Sequence, residues 1–262
     1  MLAAYVQASS KAITAKGISR TCKAVAAIAG AWQPGEITQR HIDSYVATRK
    51  RAPNTVRTEL GYLRAALRWA ASHDLCPAPR PWRVRVTGTA RDRWLTDAEC
   101  EALMAAADKL HVRTFLALAL HTGARSGAIL DLRWQDVDLE RGVVRYPAKR
   151  GGKRRASVPI NETLRAVLQE AREAATSPMV VEWAGARVGR IQSAWASLLR
   201  RSGVAHCTPH DLRRTAGSRM LQRGVPIEIV SAVLGHSNIT ITRQVYSHLE
   251  VDHLRDAVRR LG

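Results

Sequence analysis

The first quarter of the chain carries apolar residues at helical spacing. Between residues 53 and 73 they recur every three or four positions, which is the spacing of one face of an α-helix, and they are Val56, Leu60, Leu63, Leu67 and Ala70. Another helix is predicted to begin after Thr38 as its N-cap, and earlier helices are predicted over 3–15 and 19–29. The pattern therefore predicts a four-helix module over about residues 1–80.

The helical pattern stops between Pro77 and Trp94. Three prolines in this segment exclude a regular helix, and five arginines make it basic: Arg80, Arg83, Arg85, Arg91 and Arg93. Just beyond it, Thr96 and Glu99 have the spacing of a capping box, which predicts the start of another helix. We therefore predict two domains, 1–80 and 94–262, joined by a basic proline-rich linker over 81–93.

The second domain is predicted to be mainly helical with one β-hairpin. The strongly apolar residues 112–120 predict a buried helix that ends at the Gly123 turn. Residues 143–146 and 155–160 suit two strands, and Gly151-Gly152 suits the turn between them. Further helices are predicted over 162–175, 188–201, 209–223, 227–234 and 252–261. The expected fold class is mainly α with a small β-hairpin (α+β).

The charge of the chain indicates a nucleic-acid partner. Lys and Arg total 41 against 22 Asp and Glu, which gives a net charge of +19 spread along the whole sequence. A field of this sign attracts polyanions. Some of this charge lies beside the apolar stripe of the helix predicted over 53–73, at Arg57, Arg64 and Arg68. The arginines of the linker are the second candidate contact to phosphates, and the alternative is a solvated loop.

Neither a membrane nor a metal is indicated. No apolar stretch approaches the length that spans a bilayer, and the N-terminus lacks the pattern of a secretory signal, so we expect a cytoplasmic protein. The four cysteines lack the paired spacing of a zinc site and the density of a disulfide scaffold. Cys207 lies near His206 and His210, but no second ligand pair is visible, so we expect reduced thiols and no metal.

Two basic features of the second domain are candidates for anion binding. Arg125 follows a glycine turn at the end of the predicted buried helix. Alone, this is more typical of a helix C-cap with an exposed arginine. Lys149 and Lys153 lie in a basic run at the tip of the predicted hairpin, where lysines are ordinarily solvated or touch a nucleic-acid groove.

Histidines and a tyrosine follow in the last quarter of the chain. Thr208 is a good N-cap, and His210 and Arg213 come three residues apart just after it, so they share a face at the helix end that favours anions. His236 follows Leu-Gly at a predicted helix end, and Tyr246 comes ten residues later. A lone histidine or tyrosine in such a place is most often structural.

Taken in order, these segments resemble the tyrosine recombinase (phage integrase) family, and the resemblance covers nearly the whole chain. It implies an N-terminal helical core-binding (SAM-like) domain followed by the catalytic domain of the family. The residues that match the family's catalytic positions are Arg125, Lys149, His210, Arg213, His236 and Tyr246.

The resemblance implies a site-specific recombinase that cuts and rejoins DNA through a 3′-phosphotyrosyl intermediate. Tyr246 would be the nucleophile, and Arg125 and Arg213 would stabilise the charge on the scissile phosphate. His210 would take the tyrosine proton or hold the phosphate, and Lys149 would protonate the departing 5′-oxygen. No cofactor is implied. The implied partners are double-stranded DNA at an inverted-repeat site and three further copies of the chain on two duplexes.

Three positions depart from the family pattern. Ala128 stands where the family usually has glutamate, three residues after the first arginine. The resemblance implies that His236 completes the hydrogen bonding at the phosphate. Tyr246 lies ten residues beyond His236, whereas in many relatives the tyrosine lies nine residues beyond the histidine. Lys153 remains an alternative to Lys149 within the same basic run.

Two other functions are compatible with these residues. A DNA-binding protein of the same fold without catalysis is favoured by Ala128 and disfavoured by the six filled catalytic positions. A type IB topoisomerase shares the chemistry, but the small helical N-terminal module and the Leu-Gly-His segment favour a recombinase.

Overall fold

The computed structural model describes residues 2–8, 12–86, 93–146, 156–236, 238–240, 242–243 and 246, in two compact units. The first unit comprises residues 1–91 and the second residues 92–262. Lys149, Lys153, the predicted hairpin turn and the predicted helix over 252–261 lie outside the described residues.

The first unit consists of four helices, as the apolar pattern predicts. They are α1 (Leu2–Ala8), α2 (Ala12–Ala29), α3 (Gln39–Thr48) and α4 (Pro53–Ala71). The predicted boundary between the first two helices was wrong: α1 ends at Ala8 rather than at 15, and α2 begins at Ala12 rather than at 19. α2 runs through Gly17, since an isolated glycine is tolerated within a helix. The predicted stripe of α4 is buried and forms the core together with Ile42 and Tyr45 of α3.

A buried carboxylate ties α3 to α4. Glu59 is only 4% exposed, and it accepts a hydrogen bond from the Tyr45 hydroxyl at 2.8 Å and two-pronged bonds from the Arg49 guanidinium at 2.8 and 3.0 Å. These bonds from Arg49 outweigh burial and hold the pKa of Glu59 below its usual value. A buried charge is tolerated here because every oxygen has a partner.

Residues 82–86, here called the strap, lie in extended form against the helices of the first unit. Trp82 is buried, and Val84 and Val86 pack on the same core, whereas Arg83 and Arg85 between them are exposed. This alternation is that of an extended segment with one face buried. The part of the predicted linker that forms the strap is therefore attached to the first unit.

Three polar side chains of α3 and α4 hold the strap. The Gln39 amide donates to the carbonyl of Arg83 and accepts from its N–H, both at 2.9 Å. Arg57 donates to the carbonyl of Val86 at 2.7 Å. Arg64 donates to the carbonyl of Trp82 at 2.7 Å and lies 4.1 Å above the centre of its ring. Two of the arginines expected to form a basic helix face thus bind backbone carbonyls instead.

The second unit is built of helices around a small sheet. Its helices are α5 (Asp97–Ala105), α6 (Leu110–Thr122), α7 (Ser126–Leu130), α8 (Glu162–Glu173), α9 (Gln192–Ser202), α10 (Pro209–Gln222) and α11 (Ile227–Leu234). Its strands are β1 (Val137–Asp138), β2 (Val143–Tyr146), β3 (Ala156–Pro159), β4 (Glu182–Trp183) and β5 (Ala186–Arg187). The predicted fold class, mainly α with a small β part, is confirmed.

α6 is the central helix of this unit. Most of its own side chains are apolar and buried, and it packs against both α8 and α10. The antiparallel sheet has the order β1-β2-β3, with Val144 opposite both Val137 and Val158. Within the described part of the chain, no helix is both long and apolar enough to cross a membrane.

Candidate active site

The turn after α6 places Arg125 at the start of α7. Gly123 ends α6 in the left-handed conformation at φ 61°, which favours glycine, and a Cβ atom there would also displace the Leu234 side chain, whose Cδ2 would lie 2.5 Å away. The carbonyl of Arg125 accepts the N–H of Ala128 at 2.8 Å. Its side chain is exposed, and no hydrogen bond or ion pair joins it to another described residue.

The first turn of α10 is fixed by its own residues, as the sequence predicts. The Thr208 N–H and hydroxyl donate to the Asp211 carboxylate at 2.7 and 2.9 Å, and Pro209 occupies the first helical position. His210 and Arg213 follow on one face. His210 is exposed and Arg213 is buried.

Arg213 joins the ends of two other helices. Its guanidinium donates to the carbonyl of Gly123 at 2.8 Å and to the carbonyl of Leu234 at 2.7 Å. These carbonyls lie at the C-terminal ends of α6 and α11, which carry partial negative charge. Burial, and next the neighbouring Arg125, lower the pKa of Arg213 to about 10, so it keeps its charge at neutral pH.

His236 follows the left-handed Gly235 that ends α11. Its Nδ1 lies in hydrogen-bond contact with the Thr242 hydroxyl at 2.7 Å. Burial, and then Arg213 and Arg125, lower the pKa of His236 to about 4. The pKa of His210 is also lowered, first by desolvation from the surrounding protein and then by the arginines around it. Both histidines are therefore neutral at pH 7 and can accept a proton.

Tyr246 is buried beside α10. It is 2% exposed, and its hydroxyl lies 3.5 Å from the carbonyl oxygen of Arg213, which is a long and weak contact. Burial raises the pKa of Tyr246 to about 12, against the opposing effect of Arg213 and Arg214. The phenol is protonated at neutral pH and needs a base before it can attack.

Tyr146 is another buried tyrosine of the second unit, and it lies at the end of β2. Its hydroxyl is in hydrogen-bond contact with Thr122 at 2.9 Å inside the core, and burial raises its pKa. No described cation affects this phenol in the way that Arg213 and Arg214 affect Tyr246. These contacts are those of a structural residue in the core of the second unit.

The structure brings most of the predicted site residues together. Each of the pKa values of His210, Arg213 and His236 responds to the charge of Arg125, and that of Tyr246 responds to Arg213. Lys149 and its alternative Lys153 are the predicted residues outside the described part of the chain.

Sequence reasoning missed two residues of this region. Thr242 holds His236 through its hydroxyl, and Gly217 lies in the interior of α10 against the ring of Tyr246. A signal for the second was visible, because glycine in a helix interior often marks a close approach. Thr242 gave no signal, since its contact depends on how the chain folds after α11.

Comparisons of the sequence find integrases and tyrosine recombinases. Residues 93–253 match the model of the Phage integrase family. Tyrosine recombinase XerD of Ralstonia nicotianae is 31% identical over 237 residues, which are 82% of this chain and 73% of that protein. A Salmonella phage integrase is 28% identical over 228 residues, and Tyrosine recombinase XerA of Pyrococcus horikoshii is 30% identical over 174. The matches cover 79% and 63% of this chain but only 57% and 60% of those two proteins.

Comparison of the structure finds the same fold. The Tn1549 transposon integrase in complex with transposon right end DNA superposes with a TM-score of 0.82 at 19% identity, covering 99% of this chain and 98% of that one. A lambda integrase dimer bound to a COC′ core site gives a TM-score of 0.73 at 18% identity, covering 92% and 95%. Because the family model spans more than half of the sequence, this chain belongs to the phage integrase family.

Proposed function

We propose that this protein is a site-specific DNA recombinase that cuts and rejoins strands through a 3′-phosphotyrosyl intermediate. The observation that carries the proposal is the position of Tyr246. Its hydroxyl lies against α10, the helix of His210 and Arg213, and its pKa responds to the charge of Arg213. Family membership supports the reaction class. The alternative of a DNA-binding protein without catalysis rests on Ala128 alone.

Arg213 and Arg125 bind the scissile phosphate in different ways. Arg213 is held by two carbonyls, so its charge is fixed before DNA arrives and needs no reorganisation during the reaction. Arg125 is exposed and has no partner among the described residues, so it is free to close on the phosphate oxygens. Together they stabilise the charge that develops on the equatorial oxygens.

Proton transfer accompanies the attack. The phenol of Tyr246 gives its proton to neutral His210 as its oxygen forms the bond to phosphorus. The bond from phosphorus to the 5′-oxygen breaks, and Lys149 protonates that oxygen. His236, held at Nδ1 by Thr242, has its other ring nitrogen for a hydrogen bond to the phosphate. Rejoining reverses these steps with the 5′-hydroxyl of the new partner strand, so no external energy source is consumed.

The proposed partner is double-stranded DNA at an inverted-repeat site, bound by four copies of the chain on two duplexes. A lambda integrase tetramer bound to a Holliday junction is among the similar structures, with a TM-score of 0.73 and 19% identity. The net charge of +19 suits this partner. The expected place of action is the cytoplasm.

The test is capture of the covalent intermediate. On a nicked duplex that carries inverted repeats from beside its own gene, the wild-type protein should form an adduct that survives denaturation. Tyr246→Phe should bind the same duplex without forming the adduct, and Tyr146→Phe should still form it. An adduct with Tyr246→Phe would place the nucleophile elsewhere. Binding without any wild-type adduct would favour the silent DNA-binding protein, and relaxation of any supercoiled plasmid would favour a topoisomerase.

A further inference from the structure

An interior glycine of α10 lies where the ring of the proposed nucleophile packs. Gly217 is eight residues from the start of α10, and its φ is not positive, so its backbone could be adopted by any residue. Glycine is unfavourable in a helix interior relative to alanine. A reason for glycine here must therefore come from space rather than from conformation.

The phenol of Tyr246 fills the space in which a side chain would lie. A Cβ atom at position 217 would be 2.1 Å from the Tyr246 hydroxyl oxygen, 2.4 Å from its Cζ and 3.0 Å from its Cε1. The first two distances are shorter than any real contact of a Cβ atom, so alanine and the phenol cannot both occupy these positions. Gly61 in α4 offers a contrast, because no heavy atom lies within 4 Å of its would-be Cβ.

This space belongs to the helix face that carries the site. His210, Arg213 and Gly217 are spaced by three and four residues, so they follow one another along one face of α10. The hydroxyl of Tyr246 lies 3.5 Å from the carbonyl of Arg213, one turn before Gly217. Apolar side chains complete the surroundings of the ring, and they are Leu221, Val230 and Leu234.

We propose that Gly217 is a positioning residue for Tyr246: its bare backbone forms a seat that holds the phenol on the face of α10 beside Arg213, and any side chain at 217 displaces it. The seat itself is a statement about packing. Its catalytic consequence, a loss of DNA cutting when the phenol is displaced, rests on the function proposed above.

The seat is tested first by stability, without DNA. In the wild-type background Gly217→Ala should lower the melting temperature of the second unit. With Tyr246→Ala the space is vacated, and the same change should raise it by about 2–4 °C, the shift expected for a helix glycine replaced by alanine in a protein of this size. With Tyr246→Phe the Cζ atom remains, so Gly217→Ala should still destabilise. Gly61→Ala is the control for the intrinsic effect of the exchange, and it should raise the melting temperature of the first unit in every background.

The reversal of sign is the decisive result. If Gly217→Ala has the same sign with Tyr246 and with Tyr246→Ala, or prevents folding in both, something other than the phenol fills the space and the proposal is wrong. A merely structural glycine would not produce this dependence on the residue at 246.

The catalytic consequence is tested by adduct formation. Gly217→Ala should form the covalent adduct about tenfold or more slowly than wild type, with an unchanged Kd for the duplex, while Gly61→Ala keeps the wild-type rate. Unchanged or faster adduct formation would overturn the positioning role. If the wild type forms no adduct at all, the proposed function fails. The melting temperatures of the Gly217 and Tyr246 variants still decide whether Gly217 positions Tyr246.

Discussion

Two arginines with the same proposed role should differ sharply in what their loss does to stability. Arg213→Ala removes a buried guanidinium and leaves the carbonyls of Gly123 and Leu234 without its hydrogen bonds. An unsatisfied buried polar group costs about 1–3 kcal/mol, so the free energy of unfolding should fall by roughly 2–5 kcal/mol. Arg125→Ala removes an exposed side chain and should change it by less than about 0.5 kcal/mol.

Arg213→Lys separates charge from geometry. An ammonium keeps the positive charge, but it is a compact donor on a flexible stem and cannot bridge the ends of α6 and α11 as the rigid guanidinium fork does. With one of the two carbonyls still bonded, the loss of unfolding free energy should be about half that of Arg213→Ala, roughly 1–2.5 kcal/mol.

Urea unfolding and adduct trapping on the same preparations measure both effects. If the two units unfold in separate transitions, only that of the second unit should shift, since Arg213 and both of its carbonyl partners lie there. Both alanine variants should lose adduct formation, and only Arg213→Ala should lose stability. Arg213→Ala with wild-type stability would refute the reasoning, as would an Arg125→Ala variant that is equally destabilised.

Three further changes test other parts of the structure. The pKa of His236 is about 4 in the folded protein and near 6.5 in the unfolded chain, so the unfolded chain binds the proton first as the pH falls. The free energy of unfolding should therefore decrease between pH 6.5 and pH 4. In His236→Gln the urea midpoint should depend less on pH over this range. Arg83→Ala and Arg85→Ala should each reduce the salt slope of DNA binding by about 0.9, whereas slopes equal to wild type would mean the strap does not touch phosphates. Ala128→Glu places a carboxylate in the first turn of α7 beside Arg125 and should leave adduct formation unchanged or raise it; a large loss would show a pocket repacked around alanine.

Local signals predicted the start of α10, whereas the contacts of its arginine could not be predicted. Thr208, Pro209 and Asp211 act within one helical turn, so their residue types alone indicate the helix start and the shared face of His210 and Arg213. The carbonyls bound by Arg213 lie 90 and 21 residues away in sequence. Nothing in the local pattern brings the ends of α6 and α11 to this side chain.

The strap shows the same limit in the first unit. The prolines before it and its own arginines predicted a linker, and the alternation of Trp82, Val84 and Val86 was too short to outweigh them. Arg57 and Arg64 were read as a basic face because sequence shows charge but not the backbone carbonyls that satisfy it. The two-residue strands β1, β4 and β5 were missed because two positions carry no periodicity.

The electrostatics of the site imply an order for the proposed reaction. In the free protein burial, and next the surrounding arginines, lower the pKa values of His210 and His236 and keep both rings neutral. A bound phosphate adds negative charge next to both rings, and an anion nearby favours the protonated form, so their pKa values rise. His210 therefore becomes a better acceptor for the Tyr246 proton only after the phosphate has bound. Because burial raises the pKa of the phenol to about 12 in the free protein, the proposed mechanism assigns activation of the nucleophile to the complex with DNA.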